Sequence, residues 1–294
     1  MKRLTCFEVV LEAKVAQLRL SRPEAMNSMI PAFWRELPEI VRELSDAGEA
    51  RVLVISSTGK HFTAGMDLSV FQGGFGGSGG ARELGRARAA TRQAVLALQE
   101  TFSCLERARM PVIAAVQGGC VGGGVDLICA CDLRYCSEDA FFCVQETNLA
   151  MTADVGTLQR LPKIVPEGIA REMAYTGRRL PAARAREVGL VNGVYPDPQA
   201  LRAGVQEIAA EIAARSPLAV WGCKEMLTYA RDHSVADGLE YVATWQAGMF
   251  HGGDLGEAIR ARAEKREPVY EDLAPEPADP LGDPPARSRA GSGG

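Results

Sequence analysis

Aromatic residues are scarce, at 6% of the 294 positions, and the chain has little excess of either charge. Lys+Arg total 33 and Asp+Glu 37, a net charge of −4. A slightly acidic, aromatic-poor chain lacks what nucleic-acid and anionic-membrane binders use, so neither partner is expected. No apolar run reaches the ~18 residues needed to span a bilayer. Histidine occurs only at positions 61, 233 and 251, and the eight cysteines include no CxxC pair. The ligand spacing of a zinc site is missing, and no metal is expected. Five cysteines fall between Cys120 and Cys143 among apolar and small residues, which reads as reduced, buried small hydrophobes in a reducing compartment. The opening MKRLTCFEVVLEAK lacks the long apolar stretch and cleavage site of a secretory signal, and the closing GSGG is no SKL-type peroxisomal address. A cytoplasmic protein is therefore expected.

What the chain does have is length and apolar content. Hydrophobic residues make up 47% and charged residues 24%, the mix of a soluble globular protein able to bury a core without staples. Residues 7–11 and 14–20 read as two strands joined by a tight turn at Glu12-Ala13, with Ala16, Leu18 and Leu20 alternating against Gln17 and Arg19. A helix is expected over 31–47, and a strand covered on both faces over 52–55. A long helix follows over 83–108, with Val95, Leu98, Phe102 and Leu105 on one stripe. Buried strands are expected at 112–116 and 133–136. From about 156 the pattern is helical, broken by a strand at 191–195 and including an amphipathic helix marked by Leu201, Val205, Ile208 and Ile212. Strands and helices alternate first and helices then follow alone. That order predicts a layered α/β core over residues 1–195 and a helical part over 196–270. Residues 73–80, GGFGGSGG, read as a flexible loop. Residues 274–294 have almost nothing apolar to bury and read as disordered, with the tail taken from 271.

The glycine loop produces two accidental matches. Gly74-x-Gly76-x-x-Gly79 has dinucleotide-binding spacing and Gly76-x-Ser78-x-Gly80 has that of a nucleophile elbow, but any glycine-rich octamer would give both. Gly118 to Asp126 is more informative. Gly122-Gly123-Gly124 opens an apolar helix after a buried strand, which leaves first-turn N–H groups bare and suited to an anion. Close packing of helix on sheet is the competing reading. A second donor loop, His61 to Leu68, follows the strand at 52–57. If both loops sit at the same end of parallel strands, their N–H groups can converge on one oxygen as an oxyanion hole. Three acids lie in apolar settings. Asp126 is in the first turn of the apolar helix, Glu146 follows Phe141-Phe142-Cys143-Val144, and Asp154 precedes a helix opening at Gly156. Asp126 and Asp154 could equally be acids at helix N-termini, and Glu146 a solvated loop residue.

Taken together, several motifs resemble the crotonase (enoyl-CoA hydratase/isomerase) superfamily. They are Arg22-Pro23-x-x-x-Asn27, Phe62-x-Ala64-Gly65-x-Asp67-Leu68, Pro111 to Val116 with Gly118, Gly122-Gly123-Gly124, Thr157-x-x-Arg160-Leu161-Pro162, Ala185-x-x-x-Gly189-Leu190-Val191 and Glu264-Lys265-Arg266. The resemblance runs in order from about residue 7 to 270. Within the superfamily, GGCVGGGVDLICACDLRYCSEDAFF and TADVGTLQRLPK are similar to the Δ3,5-Δ2,4-dienoyl-CoA isomerases. The three pocket acids of that group fall on Asp126, Glu146 and Asp154, with its spacings of 146 − 126 = 20 and 154 − 126 = 28. Hydratases share the acid at the Glu146 position, but carry glutamate at the Asp126 position and usually glycine near Asp154.

The resemblance implies a spiral of ββα turns and a helical C-terminal region that trimerises, often pairing into hexamers, so a homotrimer or homohexamer is expected. It places the oxyanion hole on the N–H groups of Met66 and Gly123, and CoA-ester binding on Ala64, Gly65, Met66, Asp67, Leu68 and Gly123. The implied reaction moves the double bonds of a 3,5-dienoyl-CoA to the 2,4 positions, in fatty-acid β-oxidation. Glu146 takes the C2 proton, Asp154 supplies one at C6, and Asp126 polarises or orients the pocket. CoA is part of the substrate and no cofactor is expected. Two alternatives remain at this point: an enoyl-CoA hydratase using Glu146 and Asp126 on one water, and a non-catalytic acyl-CoA-binding subunit.

Overall fold

The computed structural model describes residues 4–72, 83–250 and 252–277. The glycine loop at 73–80 with its two accidental motifs lies outside the described residues, as does the expected tail from 278 onward. In chain order the strands are β1 (Phe7–Glu12), β2 (Val15–Leu20), β3 (Val52–Ser57), β4 (Val112–Val116), β5 (Gly119–Val121), β6 (Leu133–Ser137), β7 (Phe141–Cys143), β8 (Leu180–Pro181) and β9 (Gly193–Tyr195). The helices are α1 (Pro31–Ala47), α2 (Ser69–Gln72), α3 (Leu84–Arg107), α4 (Gly123–Cys129), α5 (Thr157–Arg160), α6 (Glu167–Thr176), α7 (Ala182–Glu187), α8 (Pro198–Ala213), α9 (Pro217–Ala230), α10 (Val235–Met249) and α11 (Gly253–Glu264).

Strands β1 and β2 form an antiparallel hairpin with Phe7 opposite Leu20. Its turn is centred on Ala13 and Lys14, one residue later than the sequence suggests. Both have positive φ, 48° and 68°, the handedness that matches strand twist in a two-residue hairpin turn. The remaining strands of the large sheet run parallel, in the order β1-β2-β3-β4-β6-β9. A second sheet holds β5, β7 and β8, three short strands not apparent in the sequence pattern. In sequence β4 leads directly into β5 and β6 into β7, so the chain passes from the large sheet to the small one twice, as in a spiral of strand pairs followed by helices.

Alternation divides the buried strand β3 between two cores. Leu53 and Ile55 join Phe33, Leu37, Phe102 and Leu105 under α1 and α3. Val52 and Val54 face the other way and pack with Ile113, Leu201, Val205 and Ala209, so α8 covers the second face of the sheet. This is why the run reads as continuously apolar. Seven cysteines are buried within this fold and only Cys223 is exposed.

The helical C-terminal region is fastened by polar contacts. Lys224 on α9 is 5% exposed and donates to the carbonyls of Leu105 (2.7 Å) and Met110 (3.0 Å), with Asp132 at 2.9 Å. Helix α10 buries none of its residues, and Val235 and Leu239 are 80% and 63% exposed. Residues 271–277 correct the expected tail. Asp272 pairs with Lys14 and Arg51, Arg109 donates to the Ala274 carbonyl at 3.0 Å, and Glu276 N–H donates to the Asp46 carbonyl at 2.7 Å. The composition gave no sign of this strap because charge pairs and backbone groups hold it, not apolar burial. Lys224→Ala would leave two carbonyls and Asp132 without their ammonium partner. A loss of about 3 kcal/mol in unfolding free energy is expected, read from the urea midpoint.

Candidate active site

The segment His61 to Leu68 is locked on both sides. Thr63 bridges to Cys120 of β5, with Thr63 N–H donating to the Gly119 carbonyl at 3.0 Å and Val121 N–H donating to the Thr63 carbonyl at 3.2 Å. Met66 bridges to Met29, with Met29 N–H donating to the Gly65 carbonyl at 2.8 Å and Asp67 N–H to the Met29 carbonyl at 3.1 Å. Asn27 ties the knot from beneath: its amide donates to the carbonyls of Thr58 (2.8 Å) and His61 (3.0 Å), and its side-chain oxygen accepts from Arg22 N–H at 2.8 Å. Hydrogen bonds from Ser69 and Ser28 hold the Asp67 carboxyl below its usual pKa and close the loop.

This clamping brings the two glycine-bearing loops together. Gly65 has φ +83°, and a Cβ there would lie 2.7 Å from the Val121 carbonyl oxygen and 3.4 Å from the amide nitrogen of Gly123. Only glycine permits both the left-handed backbone and the approach. In the Met29–Met66 bridge the bonding groups on this strand belong to Gly65 and Asp67, so the Met66 N–H is left over. The Gly123 N–H begins α4, where no helical acceptor precedes it. Among the described residues neither amide has a hydrogen-bond acceptor, and both residues line the same cavity of about 560 Å³. Ala64, Asp67 and Leu68 line it too.

Two of the three expected acids share that cavity. Glu146 and Asp154 are both on its wall. Burial, and then the charge of Asp126, pushes the Glu146 pKa up to about 7. Burial also raises that of Asp154. Asp126 departs from the expectation of three acids lining one pocket. It is fully buried behind the wall, and its Oδ1 accepts the Thr157 N–H at 2.6 Å. Burial first of all lifts its pKa to about 6. It thus caps α5, not its own helix. Asp154 makes no such bond, and the N-cap residue of α5 is Gly156. Among the described residues, the buried side-chain atoms without a partner are Asp126 Oδ2, Glu146 Oε2, Thr157 Oγ1 and Trp34 Nε1. All belong to the cavity wall or to the layer just behind it, and such atoms concentrate where function overrides polar satisfaction.

Other wall residues gave no sequence signal. Trp34 reads as an ordinary core position of α1, and Leu149 and Met151 as loop residues, yet all three line the cavity. Arg179, also on the wall, lies 4.2 Å over the Phe141 ring. Only the tertiary fold brings these positions together.

The charge on Asp126 has a measurable cost. Its folded pKa of about 6 lies above the ordinary 3.8, so its contribution to stability is full below the ordinary value and lost as pH rises through about 6. Asp126→Asn keeps an oxygen for the Thr157 amide and removes the charge. At about pH 8 the variant should be more stable than wild type by about 3 kcal/mol, and the gain should vanish by about pH 4. Urea titrations at both pH values check this, and a pH-independent difference would contradict it.

Comparison with known proteins gives the family of the chain. The enoyl-CoA hydratase/isomerase family profile matches residues 11–273. The chain is 42% identical to the peroxisomal Δ3,5-Δ2,4-dienoyl-CoA isomerase of Arabidopsis thaliana, over 89% of this chain and 94% of that protein. It is 44% identical to the human mitochondrial Δ3,5-Δ2,4-dienoyl-CoA isomerase, over 86% of this chain and 77% of that one. Among solved structures, an enoyl-CoA hydratase from Bacillus anthracis superposes with a TM-score of 0.80 at 33% identity, covering 90% of this chain and 99% of that one. By sequence and by fold, the chain belongs to the enoyl-CoA hydratase/isomerase family.

Proposed function

We propose that this protein is a Δ3,5-Δ2,4-dienoyl-CoA isomerase acting in fatty-acid β-oxidation. The observation that carries the reading is one cavity walled by two carboxyls with raised pKa values, Glu146 and Asp154, and by the two unpaired amides of Met66 and Gly123. The named relatives, at 42% and 44% identity, support it independently.

The thioester oxygen of a 3,5-dienoyl-CoA accepts from the Met66 and Gly123 amides, with Ala64, Gly65, Asp67 and Leu68 flanking the CoA portion. Glu146 removes the C2 proton. The electron pair delocalises from the thioester oxygen along the chain to C6, and each amide stabilises the resulting enolate by roughly 3 kcal/mol. Asp154 delivers a proton at C6, which leaves the double bonds at C2 and C4. Positioned acid–base groups contribute ~10²–10⁴-fold each. Afterwards Glu146 carries a proton and Asp154 lacks one, so a proton passes back between them before the next turnover. Asp126, behind the wall, raises the Glu146 pKa and holds the α5 end of the site.

Hydration is the second reading from the sequence. It needs two carboxyls on one water, and the seclusion of Asp126 with the Thr157 amide weighs against it. A non-catalytic acyl-CoA-binding subunit has no use for two raised carboxyls facing one ligand. No cofactor beyond the CoA of the substrate enters this chemistry. The exposed apolar residues Leu227, Val235 and Leu239 support a homotrimer or homohexamer. No described helix is long and apolar enough to cross a membrane, and the cytoplasm is the proposed compartment.

Three experiments test the reading. Incubation with 3,5-octadienoyl-CoA should produce the conjugated 2,4-diene absorbance, with little hydration of crotonyl-CoA; the reverse outcome would overturn the proposal. Asp154→Asn should abolish the diene signal and leave CoA-ester binding nearly intact. The pH profile follows from the shared proton. The site works with one proton on the Glu146–Asp154 pair, so kcat/KM should be bell-shaped, with one limb near pH 7 where Glu146 titrates. A profile flat from about pH 5 to 9 would exclude the pair as the acid and base.

A further inference from the structure

The chain from Asp154 to Arg160 does three things within seven residues. It puts the Asp154 carboxyl on the cavity, gives the Thr157 N–H to Asp126, and sends Arg160 back to α3. The last of these has no role in the mechanism above, although Thr157-x-x-Arg160 is part of the motif that marks the family.

Arg160 and Glu106 form a largely buried ion pair, with side chains 11% and 14% exposed. The guanidinium donates twice to one carboxylate oxygen, from Nε at 3.0 Å and Nη2 at 2.7 Å, and Nη2 also reaches Ser103 Oγ at 2.9 Å. It fills the chain reversal next to Asp154: Gly156 has φ +135°, and a Cβ there would lie 1.8 Å from Arg160 Nη1. The backbone angle alone calls for glycine here, and the Arg160 guanidinium occupies the space beside it. A separate bond holds the aspartate itself. Gln99 Nε2 donates to the Asp154 carbonyl at 2.8 Å. Gln99, Ser103 and Glu106 are spaced at i, i+4 and i+7, so one polar stripe of α3 is given over to this loop. The neighbouring stripe, with Phe102 and Leu105, is in the core.

We infer that Arg160 and Gln99 are positioning residues for proton delivery at C6: α3 serves as the rail that fixes the Asp154 backbone. The inference rests on the isomerase reading above and deepens it. Glu146 and the two amides lie on other segments, at the start of a short helical turn after β7, on the loop after β3 and at the start of α4. Neither Gln99 nor Arg160 bonds to Glu146 or to the two amides, so the α3 rail acts directly on delivery at C6 and reaches removal at C2 only through the Thr157–Asp126 bond.

The test uses 3,5-octadienoyl-CoA in D2O with the full-length protein, following deuterium uptake at C2 of recovered substrate and growth of the 2,4-diene. Gln99→Leu and Arg160→Lys are compared with wild type. A displacement of about 1 Å at a reacting group costs on the order of 10²-fold, so diene formation should fall roughly 10- to 100-fold. C2 exchange should stay within about threefold of wild type, and KM should change little. The partition then shifts toward deuterated, returned substrate, a signature that general loss of structure does not give. Equal loss of exchange and diene formation, or wild-type values for both in folded variants, overturns the inference and leaves the isomerase reading standing. If Arg160→Lys does not fold, Gln99→Leu decides alone, since it removes one hydrogen bond. A wild-type protein that forms no diene removes the functional reading and this inference with it.

Discussion

The site depends on one close approach: the loop carrying Gly65 lies so near the turn into α4 that no side chain fits between them. An amide becomes a useful donor only when it is denied its usual partner and yet held still. The parallel bridges at Thr63 and Met66 do both, since they consume the neighbouring groups and leave one N–H over. The knot at Asn27 and the hydrogen bond from Gly119 N–H to His61 Nδ1 serve the same end. Electrostatic stabilisation of an enolate needs donors already in place, because donors that had to reorient would lose much of their effect.

The acids show the opposite strategy. Donors are kept rigid by being surrounded, and carboxyls are made reactive by being deprived of partners. Glu146 and Asp154 sit where water is scarce, so the charged form of each is disfavoured. Asp126 adds to this from behind the wall and contributes charge without contact. Some folding stability is given up to keep three carboxyls so close, and the polar anchors around them, from Arg160 to Lys224, are extensive.

Much of this was legible in the sequence because it is local. The β3 run, the stripe on α3 and the alternation in β2 follow from the period of side-chain direction. The glycines at 122–124 announced an open helix start, and the spacing of Asp126, Glu146 and Asp154 carried the resemblance. What was not legible is long-range. The three short strands of the second sheet have too few residues to show a period. Spacing alone could not tell that Asp126 lies behind the wall, since that depends on a bond to Thr157 thirty-one residues away. Trp34 and Arg179 reach the cavity only through tertiary packing, and the strap at 271–277 is held by arginines far upstream.

Helix α8 supplies the hydrophobic cover of the second sheet face, although it follows the last strand in sequence. Topologically the chain divides after β9, but in packing it does not. A fragment ending there would show Val52, Val54 and Ile113 to water across several parallel strands. Such a piece would be a template for aggregation and not a smaller enzyme. Ancestors or engineered relatives that dispense with the later helices would therefore need some other element to roof the same strands.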